Sequence, residues 1–268
     1  MAKGEFHKMH GLGNDFVIID ARACPMEMPP ARARAIADRK IGIGCDQLIL
    51  LLTSKVADVA MRIFNADGSE VEACGNASRC VVALLKRDLK IETKGGIISG
   101  QLSGNDVTVS MGEAKFDWQD IPLAFAMDSG ALPLAWEELE NPMAVNMGNP
   151  HAVFFVHDTD AVDLAGLGPI IEHDAAFPER VNVNVASVDG NEIRLNVWER
   201  GAGLTGACGT GACATAVAAI RQGKASSPVI VHQSGGSLTI AWAPGQPVIM
   251  TGSATYVFNG QADWDDFG

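Results

Sequence analysis

The feature that most constrains the fold is an internal repeat, in which the same landmarks recur after 134 or 135 positions. Two of the six cysteines lie in similar stretches, "EACGNASRCVVA" from Glu72 and "GACGTGACATA" from Gly206. Each reads Ala-Cys-Gly, then a polar residue, then a helix-like run with a second cysteine. Four pairs keep the same order along the chain: Asn14 with Asn149, Gln47 with Asn182, Asn65 with Glu199, and Cys74 with Cys208. This pattern predicts a duplicated domain.

The duplication gives an expected domain organisation. Residues 1–115 should form the N-terminal half, to which the C-terminal strand 255–268 returns, and residues 118–254 should form the second half. The stretch "GEAKFDWQDIP" at 112–122 is the expected link. If a pseudo-twofold axis relates the halves, both repeated cysteines meet in the cleft between them, which is then the expected active site.

Strand signals outnumber helix signals in both halves. Apolar runs such as "FVIID", "LILLL", "VAMRIF" and "EIRLNVW" are typical of strands. The clearest helices are "NASRCVVALLKRDL" at 76–89 and "TGACATAVAAIRQ" at 210–222, with a shorter amphipathic one at 29–40. Strands that follow one another without regular helical crossovers predict largely antiparallel sheets and the α+β class. The two clearest helices carry few charges, so each should be buried and cradled by its own sheet.

Composition narrows the class of protein. The chain has 268 residues, a net charge of −12 and a sequence pI near 4.8. Because an acidic surface repels phosphate backbones, nucleic acid is not expected as a partner. The longest apolar runs, such as 48–52, are too short to cross a bilayer, and the first residues lack the apolar core of a signal peptide. We expect a soluble cytoplasmic protein with no membrane partner.

The cysteines divide into two groups. The two closely spaced pairs, Cys74/Cys80 and Cys208/Cys213, do not have the spacing of zinc ligands, so no metal is expected. Four cysteines are interpreted as small buried hydrophobic residues: Cys24, Cys45, Cys80 and Cys213. The other two, Cys74 and Cys208, each precede a helix whose first N–H groups carry partial positive charge. That position predicts a lowered thiol pKa and partial exposure, as in reactive cysteines.

Two thiols on opposite sides of one ligand suit a particular chemistry. A thiolate removes a proton from one face of a carbon, a thiol delivers a proton to the other face, and the carbon is inverted. The N-termini of two helices could hold an adjacent carboxylate and stabilise its developing charge. The sequence shows no dinucleotide fingerprint and no lysine motif assignable to pyridoxal phosphate, so no cofactor is expected.

Several motifs together resemble the diaminopimelate epimerase family: "KMHGLGNDFVIID", "FNADGSEVEACGNASRC", "GNPHAV", "RVNV" and "ERGAGLTGACGTGACA". The similarity runs through nearly the whole chain in order. It implies two pseudosymmetric α+β domains, each a curved sheet around a central helix, with the site between them. It also implies a homodimer that interconverts LL- and meso-2,6-diaminopimelate without pyridoxal phosphate, on the route to lysine and peptidoglycan.

The resemblance also assigns roles to individual residues. Cys74 and Cys208 look like the catalytic acid/base pair, and His151 and Glu199 resemble residues that tune the thiol pKa values. The remaining matches look like substrate contacts: Asn14, Gln47, Asn65, Gly75, Asn76, Asn149, Asn182, Glu199, Arg200, Gly209 and Thr210. Arg200 can hold a carboxylate with two hydrogen bonds, whereas Glu199 and amide oxygens can hold ammonium groups.

This sequence departs from the family pattern at a few positions. Ala77 and Ser78 follow "CGN" where Gly-Thr is common, Leu204 replaces a frequent glutamate, and Phe258 replaces a tyrosine at a dimer contact.

Three other interpretations remain open from the sequence. A proline-racemase-type enzyme of the same fold typically has "CGH" at the first cysteine, where this chain has Asn76. Phenazine-biosynthesis isomerases lack the paired thiols. A non-catalytic or redox dithiol protein would need the cysteines alone and would leave the amide and Glu-Arg residues without a purpose.

Overall fold

The computed structural model describes residues 3–267. The chain forms two compact units. One contains the chain through Val109 together with the segment from Gly252 onward, and the other contains Ser110–Thr251.

The first unit is an eight-stranded sheet with two helices. Its elements are β1 Lys3–Gly11, β2 Asn14–Asp20, α1 Pro30–Ala37, β3 Gln47–Leu52, β4 Val59–Asn65, β5 Glu70–Val71, α2 Gly75–Leu85, β6 Leu89–Thr93, β7 Gly96–Ser103, β8 Asp106–Ser110 and β19 Thr255–Asp263, with a 3-10 turn at Trp264–Phe267. The strands are ordered β19-β1-β2-β3-β4-β6-β7-β8, and β5 forms a short hairpin with β4. Only the β2–β3 and β4–β6 pairs of this sheet are parallel.

The second unit repeats this plan. Its elements are β9 Ala135–Trp136, β10 Leu139–Glu140, β11 Met143–Asn146, β12 Pro150–Phe155, a 3-10 turn at Thr159–Ala161, α3 Leu164–Glu172, β13 Asn182–Asp189, β14 Glu192–Glu199, β15 Gly203–Thr205, α4 Gly209–Arg221, β16 Val229–Gln233, β17 Gly236–Ala241 and β18 Ile249–Ser253. The strands are ordered β11-β12-β13-β14-β16-β17-β18, with β15 beside β14 and with β9 and β10 as a separate hairpin.

The repeat is visible in the strand pairing. From β1 in the first unit and from β11 in the second, successive pairs are antiparallel, parallel, antiparallel, antiparallel, parallel, antiparallel and antiparallel. The register agrees as well, because Phe16 pairs with Gln47 where His151 pairs with Asn182. The prediction of an α+β fold with two largely antiparallel repeated sheets is confirmed.

Each unit buries the helix that follows its repeated cysteine. In α2 every residue from Gly75 to Val82 is buried, and the helix packs against β1, β2, β7 and β19. The alanine-rich α4 is buried along nearly its whole length against β11–β14, β16 and β17. Alanine has the highest helix propensity, and its small side chain allows a helix to approach a sheet closely. The predicted burial of both helices is confirmed.

The helix ends differ from the sequence-based prediction. The predicted helix at 76–89 ends earlier, because Lys86 is left-handed at φ 53° and Leu89 already begins β6. A left-handed residue at this position is a common way to terminate a helix. Helix α3 is not predicted from the sequence, because "LAGLGPIIE" contains two glycines and Pro169, which locally disfavour a helix. Asp163 caps α3 by accepting a hydrogen bond from Gly166 N at 3.0 Å.

Among residues 3–267, no helix combines the length and the apolar character that a membrane span requires.

Candidate active site

Cys74 begins the buried helix of the first unit. It has extended backbone angles, φ −148° and ψ 114°, and is the N-cap of α2. Its carbonyl oxygen accepts hydrogen bonds from the backbone N and the hydroxyl of Ser78, both at 2.9 Å. The side chain is half-buried. Because the first N–H groups of a helix have no partners within it, those of Gly75 and Asn76 are suited to bind an anion beside this thiol.

A chain of side-chain hydrogen bonds passes next to Cys74. The buried Arg79 donates from Nη2 to Asn76 Oδ1 at 3.0 Å, and Asn76 Nδ2 donates to Asn14 Oδ1 at 3.3 Å. Asn14 Nδ2 then donates to Asp46 Oδ2 at 3.3 Å. A guanidinium can only donate and an ionised carboxylate can only accept, so the two ends of the chain determine which way both amides point. Two predicted substrate contacts, Asn14 and Asn76, are therefore in direct contact.

The carboxylate end of this chain belongs to an ion network. Arg39 Nη2 binds Asp15 Oδ1 at 2.6 Å and Asp46 Oδ1 at 2.7 Å, and Lys8 also binds Asp15. Burial alone would raise the pKa of Asp15, but the hydrogen bonds from Arg39 and Lys8 outweigh it and hold that pKa well below its usual range. The network joins β1 and β2 to the loop before β3, which carries Gly44 as an acceptor for Lys8.

Gln47 and Asn65 lie side by side on paired strands. Gln47 Nε2 donates to Asn65 Oδ1 at 2.9 Å, and Asn65 Nδ2 donates to Ser69 Oγ at 3.1 Å. The other polar atom of the first residue, Gln47 Oε1, is buried and has no hydrogen-bond partner. Because a buried acceptor without a donor is costly, this oxygen is suited to accept a hydrogen bond from an N–H group.

Cys208 is the equivalent N-cap of α4, but its surroundings differ from those of Cys74. The side chain is buried, and Sγ accepts a hydrogen bond from Gly211 N at 3.3 Å and contacts Thr210 Oγ1 at 3.5 Å. Its backbone N donates to Gln233 Oε1 at 2.7 Å. A thiol at the mouth of a helix is thus present in both units.

The predicted low pKa and partial exposure of Cys208 are wrong. Burial, followed by the negative charge of Glu199, raises the pKa of the Cys208 thiol well above its usual value. The hydrogen bonds from Thr210 and Gly211 act in the opposite direction but are outweighed. At Cys208 the free-energy cost of desolvating the thiolate therefore exceeds the stabilisation that the helix N-terminus provides.

Glu199 and Arg200 follow one another at the end of β14. Thr205 Oγ1 donates to Glu199 Oε1 at 2.5 Å, so that the carboxylate next to Cys208 is held by the neighbouring strand. Arg200 is exposed, and its Nη1 donates to the carbonyl oxygen of Glu179 at 2.9 Å. Its backbone N donates to Asn182 Oδ1 at 2.9 Å, which connects two more of the predicted contacts.

His151 is completely buried in the second unit. Burial, aided by the positive charge of Arg200, lowers the pKa of His151 to about 3, so the imidazole is neutral. Asn184 Nδ2 lies 3.2 Å from Nδ1, and Asn149 Oδ1 lies 3.0 Å from Nε2. With Asn184 as donor to Nδ1, Nε2 carries the proton and donates to Asn149, which leaves Asn149 Nδ2 as a donor for a ligand.

Six residues that the sequence does not predict form hydrogen bonds with the predicted site residues: Asp46, Ser69, Arg79, Asn184, Thr205 and Gln233. Only Asn184 had a local signal, since it lies two positions after Asn182 and so points to the same face of β13. The predicted burial of Cys24 is wrong, because this residue lies exposed in the segment after β2, whereas Cys45, Cys80 and Cys213 are buried as predicted.

Among residues 3–267, no three histidine, cysteine or acidic side chains are arranged to hold a metal ion.

Comparisons with known proteins agree with the motifs. The family model described as diaminopimelate epimerase matches residues 6–117 and 143–257. The diaminopimelate epimerase of Rhizorhabdus wittichii is 66% identical over 265 residues, covering 98% of this chain and 97% of that protein. The diaminopimelate epimerase of Sphingopyxis alaskensis is 63% identical over 264 residues, covering 98% of each chain.

Solved structures of low identity share the fold. A PhzF-family phenazine biosynthesis protein from Bacillus anthracis has a TM-score of 0.70 at 17% identity, covering 98% of this chain and 99% of its own. A hydroxyproline epimerase from Agrobacterium vitis, with bound trans-4-hydroxy-L-proline, has a TM-score of 0.68 at 16% identity, covering 98% and 91%. At these identities the likeness concerns the fold alone. The family match over two long segments and the 63–66% identity along nearly the whole length show that the chain belongs to the diaminopimelate epimerase family.

Proposed function

We propose that the chain interconverts LL- and meso-2,6-diaminopimelate, with Cys74 and Cys208 as the acid/base pair acting on opposite faces of one α-carbon. The observation that carries this proposal is the repeated placement of a cysteine at the N-cap of the buried helix in each unit. A domain organisation of 1–115 with 255–268, and 118–254, belongs to the same proposal. A redox or structural role would need only the thiols, whereas the chain also provides the amides and the Glu199-Arg200 pair.

The reaction transfers protons and requires no change of oxidation state. One cysteine, as thiolate, takes the α-proton, and the other, as thiol, donates a proton to the opposite face, so that the roles are exchanged in the reverse direction. The N–H groups of Gly75 and Asn76, and those of Gly209 and Thr210, hold the α-carboxylate and stabilise the charge that develops on it. This arrangement takes the place of a pyridoxal phosphate cofactor or a metal ion, and we propose that the enzyme uses neither.

The raised pKa of Cys208 has a mechanistic role in this proposal. Burial and Glu199 favour the protonated thiol, which is the form that can donate. A substrate ammonium group beside Glu199 would cancel part of its negative charge and so ease formation of the Cys208 thiolate when the reaction runs the other way. His151 would tune the thiols as a neutral imidazole, through the orientation of Asn149, rather than through its charge.

The substrate has two carboxylates and two ammonium groups, which the site residues complement. Arg200 offers a guanidinium to a carboxylate, and Glu199 offers a carboxylate to an ammonium group. The amides supply the remaining contacts: Asn14, Gln47, Asn65, Asn149 and Asn182. Asn149 Nδ2 and Gln47 Oε1 remain as a donor and an acceptor for this purpose.

We further propose that the enzyme is a cytoplasmic homodimer. Support for a dimer comes from β19, where three consecutive large side chains are each about half exposed: Tyr256, Val257 and Phe258. Such a run of exposed hydrophobic residues is typical of an interaction surface.

The test is proton exchange from substrate in deuterium oxide. The wild-type enzyme should incorporate deuterium at the α-carbon of LL-diaminopimelate and form the meso isomer, and it should leave L-proline unchanged. Cys74→Ala and Cys208→Ala should each abolish epimerisation with circular dichroism unchanged. The matched controls Cys80→Ala and Cys213→Ala remove buried thiols inside the same two helices and should keep turnover.

Three results would contradict the proposal. Exchange with proline in preference to diaminopimelate would favour a proline-racemase activity. Substantial activity in either Cys74→Ala or Cys208→Ala would show that one face uses another base. Activity that disappears with a chelator and returns with zinc would exclude the two-thiol mechanism.

A further inference from the structure

The turn between β4 and β5 continues the hydrogen-bond chain that starts at Gln47. Ser69 Oγ, which accepts from Asn65 Nδ2, itself donates to Asp67 Oδ1 at 2.6 Å. Ser69 N also donates to Asp67 Oδ1, at 2.8 Å. The complete chain therefore runs from Gln47 through Asn65 and Ser69 to a carboxylate.

We propose that Asp67 and Ser69 are positioning residues that determine which way the Asn65 and Gln47 amides point, and thereby make Gln47 Oε1 an acceptor for a substrate ammonium group. The inference rests on the proposed function, since it assigns a reason for the specificity of the same site.

The direction of the chain follows from the chemistry of its carboxylate end. A carboxylate has no proton to give, so the hydroxyl proton of Ser69 points to Asp67. Hydrogen bonds from Ser69 lower the pKa of the Asp67 carboxyl, which keeps it in this accepting form. Because a hydroxyl has only one proton, Ser69 Oγ can then only accept from Asn65.

The same reasoning fixes the orientation of both amides, Asn65 and Gln47. Asn65 must turn its NH₂ group towards Ser69, and its oxygen therefore faces Gln47. Gln47 must turn its own NH₂ group to that oxygen, which leaves Gln47 Oε1 at the free end of the chain. Reversal of any one amide would bring two donors or two acceptors face to face.

The free end has the properties of a ligand contact. Gln47 Oε1 is buried and unpartnered, so it requires an N–H donor and would repel a carboxylate oxygen. In diaminopimelate the N–H groups are the two ammonium groups. The chain beside Cys74 uses different residues, Asn14, Asn76 and Arg79. Of these two groups, the proposal assigns the Gln47 acceptor to the ammonium group at the end of the substrate that does not react, and the experiment tests this choice.

The experiment compares two compounds that differ in that one group. The KM and kcat for LL-diaminopimelate are measured together with the inhibition constant of 2-aminopimelate, which lacks the second amino group. In Ser69→Ala the Asn65 amide can turn around. The orientation of the Gln47 amide, with Oε1 at the free end of the chain, is then no longer fixed. We expect KM for diaminopimelate to rise about tenfold, with kcat within about twofold and the inhibition constant of 2-aminopimelate unchanged.

The controls separate orientation from a structural effect. Ser69→Thr keeps the hydroxyl and should restore the wild-type KM. Asp67→Asn, whose amide can also donate, should change KM in the same direction as Ser69→Ala. Ser54→Ala removes another serine-to-carboxylate bond in the same unit, from Ser54 Oγ to Glu92 Oε2 at 2.5 Å, and should leave all three constants unchanged.

Different failures have different meanings. An unchanged KM in Ser69→Ala, or an equal loss of affinity for both compounds, would overturn the inference while the wild-type enzyme still epimerises diaminopimelate. A wild-type enzyme that is inactive with diaminopimelate would instead refute the proposed function.

Discussion

The buried neutral His151 predicts a specific dependence of stability on pH. The pKa is 6.5 in the unfolded chain and about 3 in the folded protein, because the imidazole is completely buried. Between these values the unfolded chain binds a proton that the folded protein does not bind. Stability is therefore fully present above pH 6.5, and it falls as the pH decreases towards 3.

The size of the effect follows from the two pKa values. The difference between these pKa values corresponds to at most about 5 kcal/mol, reached only below pH 3. Between pH 8 and pH 5 the contribution of His151 to the free energy of unfolding should decrease by about 2 kcal/mol. His151→Gln removes the titrating group, so its free energy of unfolding should fall about 2 kcal/mol less over this interval.

The assay is urea unfolding of the wild-type protein and the variant at pH 8 and pH 5, monitored by circular dichroism. A comparison of pH dependence, rather than of absolute stability, cancels the packing cost of the substitution and the titration of the carboxyl groups. His157→Gln, which changes an exposed histidine just after β12, is the control and should follow the wild type. An identical pH dependence in His151→Gln and wild type would refute the burial argument.

Two further predictions concern packing around α2. Burial raises the pKa of the Cys80 thiol to about 12, whereas Cys24 is exposed. A thiol reagent at pH 8 should therefore modify Cys24 in the folded protein and Cys80 only after unfolding. Mass spectrometry of the labelled peptides measures this, and labelling of Cys80 in the folded protein would contradict the prediction. In Gly100→Ala the new Cβ would lie 2.3 Å from Val82 Cγ2, and a stiff valine cannot move away freely. We expect a loss of about 1–3 kcal/mol in urea unfolding, against little change in the exposed neighbour Ser99→Ala.

The internal repeat shows how much of the fold the sequence alone can predict. The spacing of Cys74 and Cys208, and of the paired amides, was enough to predict a duplicated α+β fold, because equivalent positions in two copies must occupy equivalent places in the sheet. The register of Gln47 opposite Phe16 and of Asn182 opposite His151 agrees with that spacing. Local periodicity and alanine content were likewise enough to identify the two central helices and their burial.

Local signals failed where tertiary contacts compensate for unfavourable residues. α3 forms in spite of Pro169 because its apolar face, with Leu164, Leu167 and Ile171, packs into the core of the second unit. The helix at 76–89 ends early since Leu89 is required as the first residue of β6, which pairs with β4 and β7. Neither outcome can be read from a window of a few residues, because the stabilising partners are distant in the sequence.

The chemistry of the site depends on distant partners even more strongly. Helix position alone predicted a reactive, low-pKa Cys208, but the strands and Glu199 around it remove water and raise the pKa of the thiol. The orientation of Gln47 is decided by Asp67, through two side chains on another strand and its turn. The sequence specifies which side chains are present, whereas their desolvation and the direction of their hydrogen bonds arise only when the folded chain brings distant groups together.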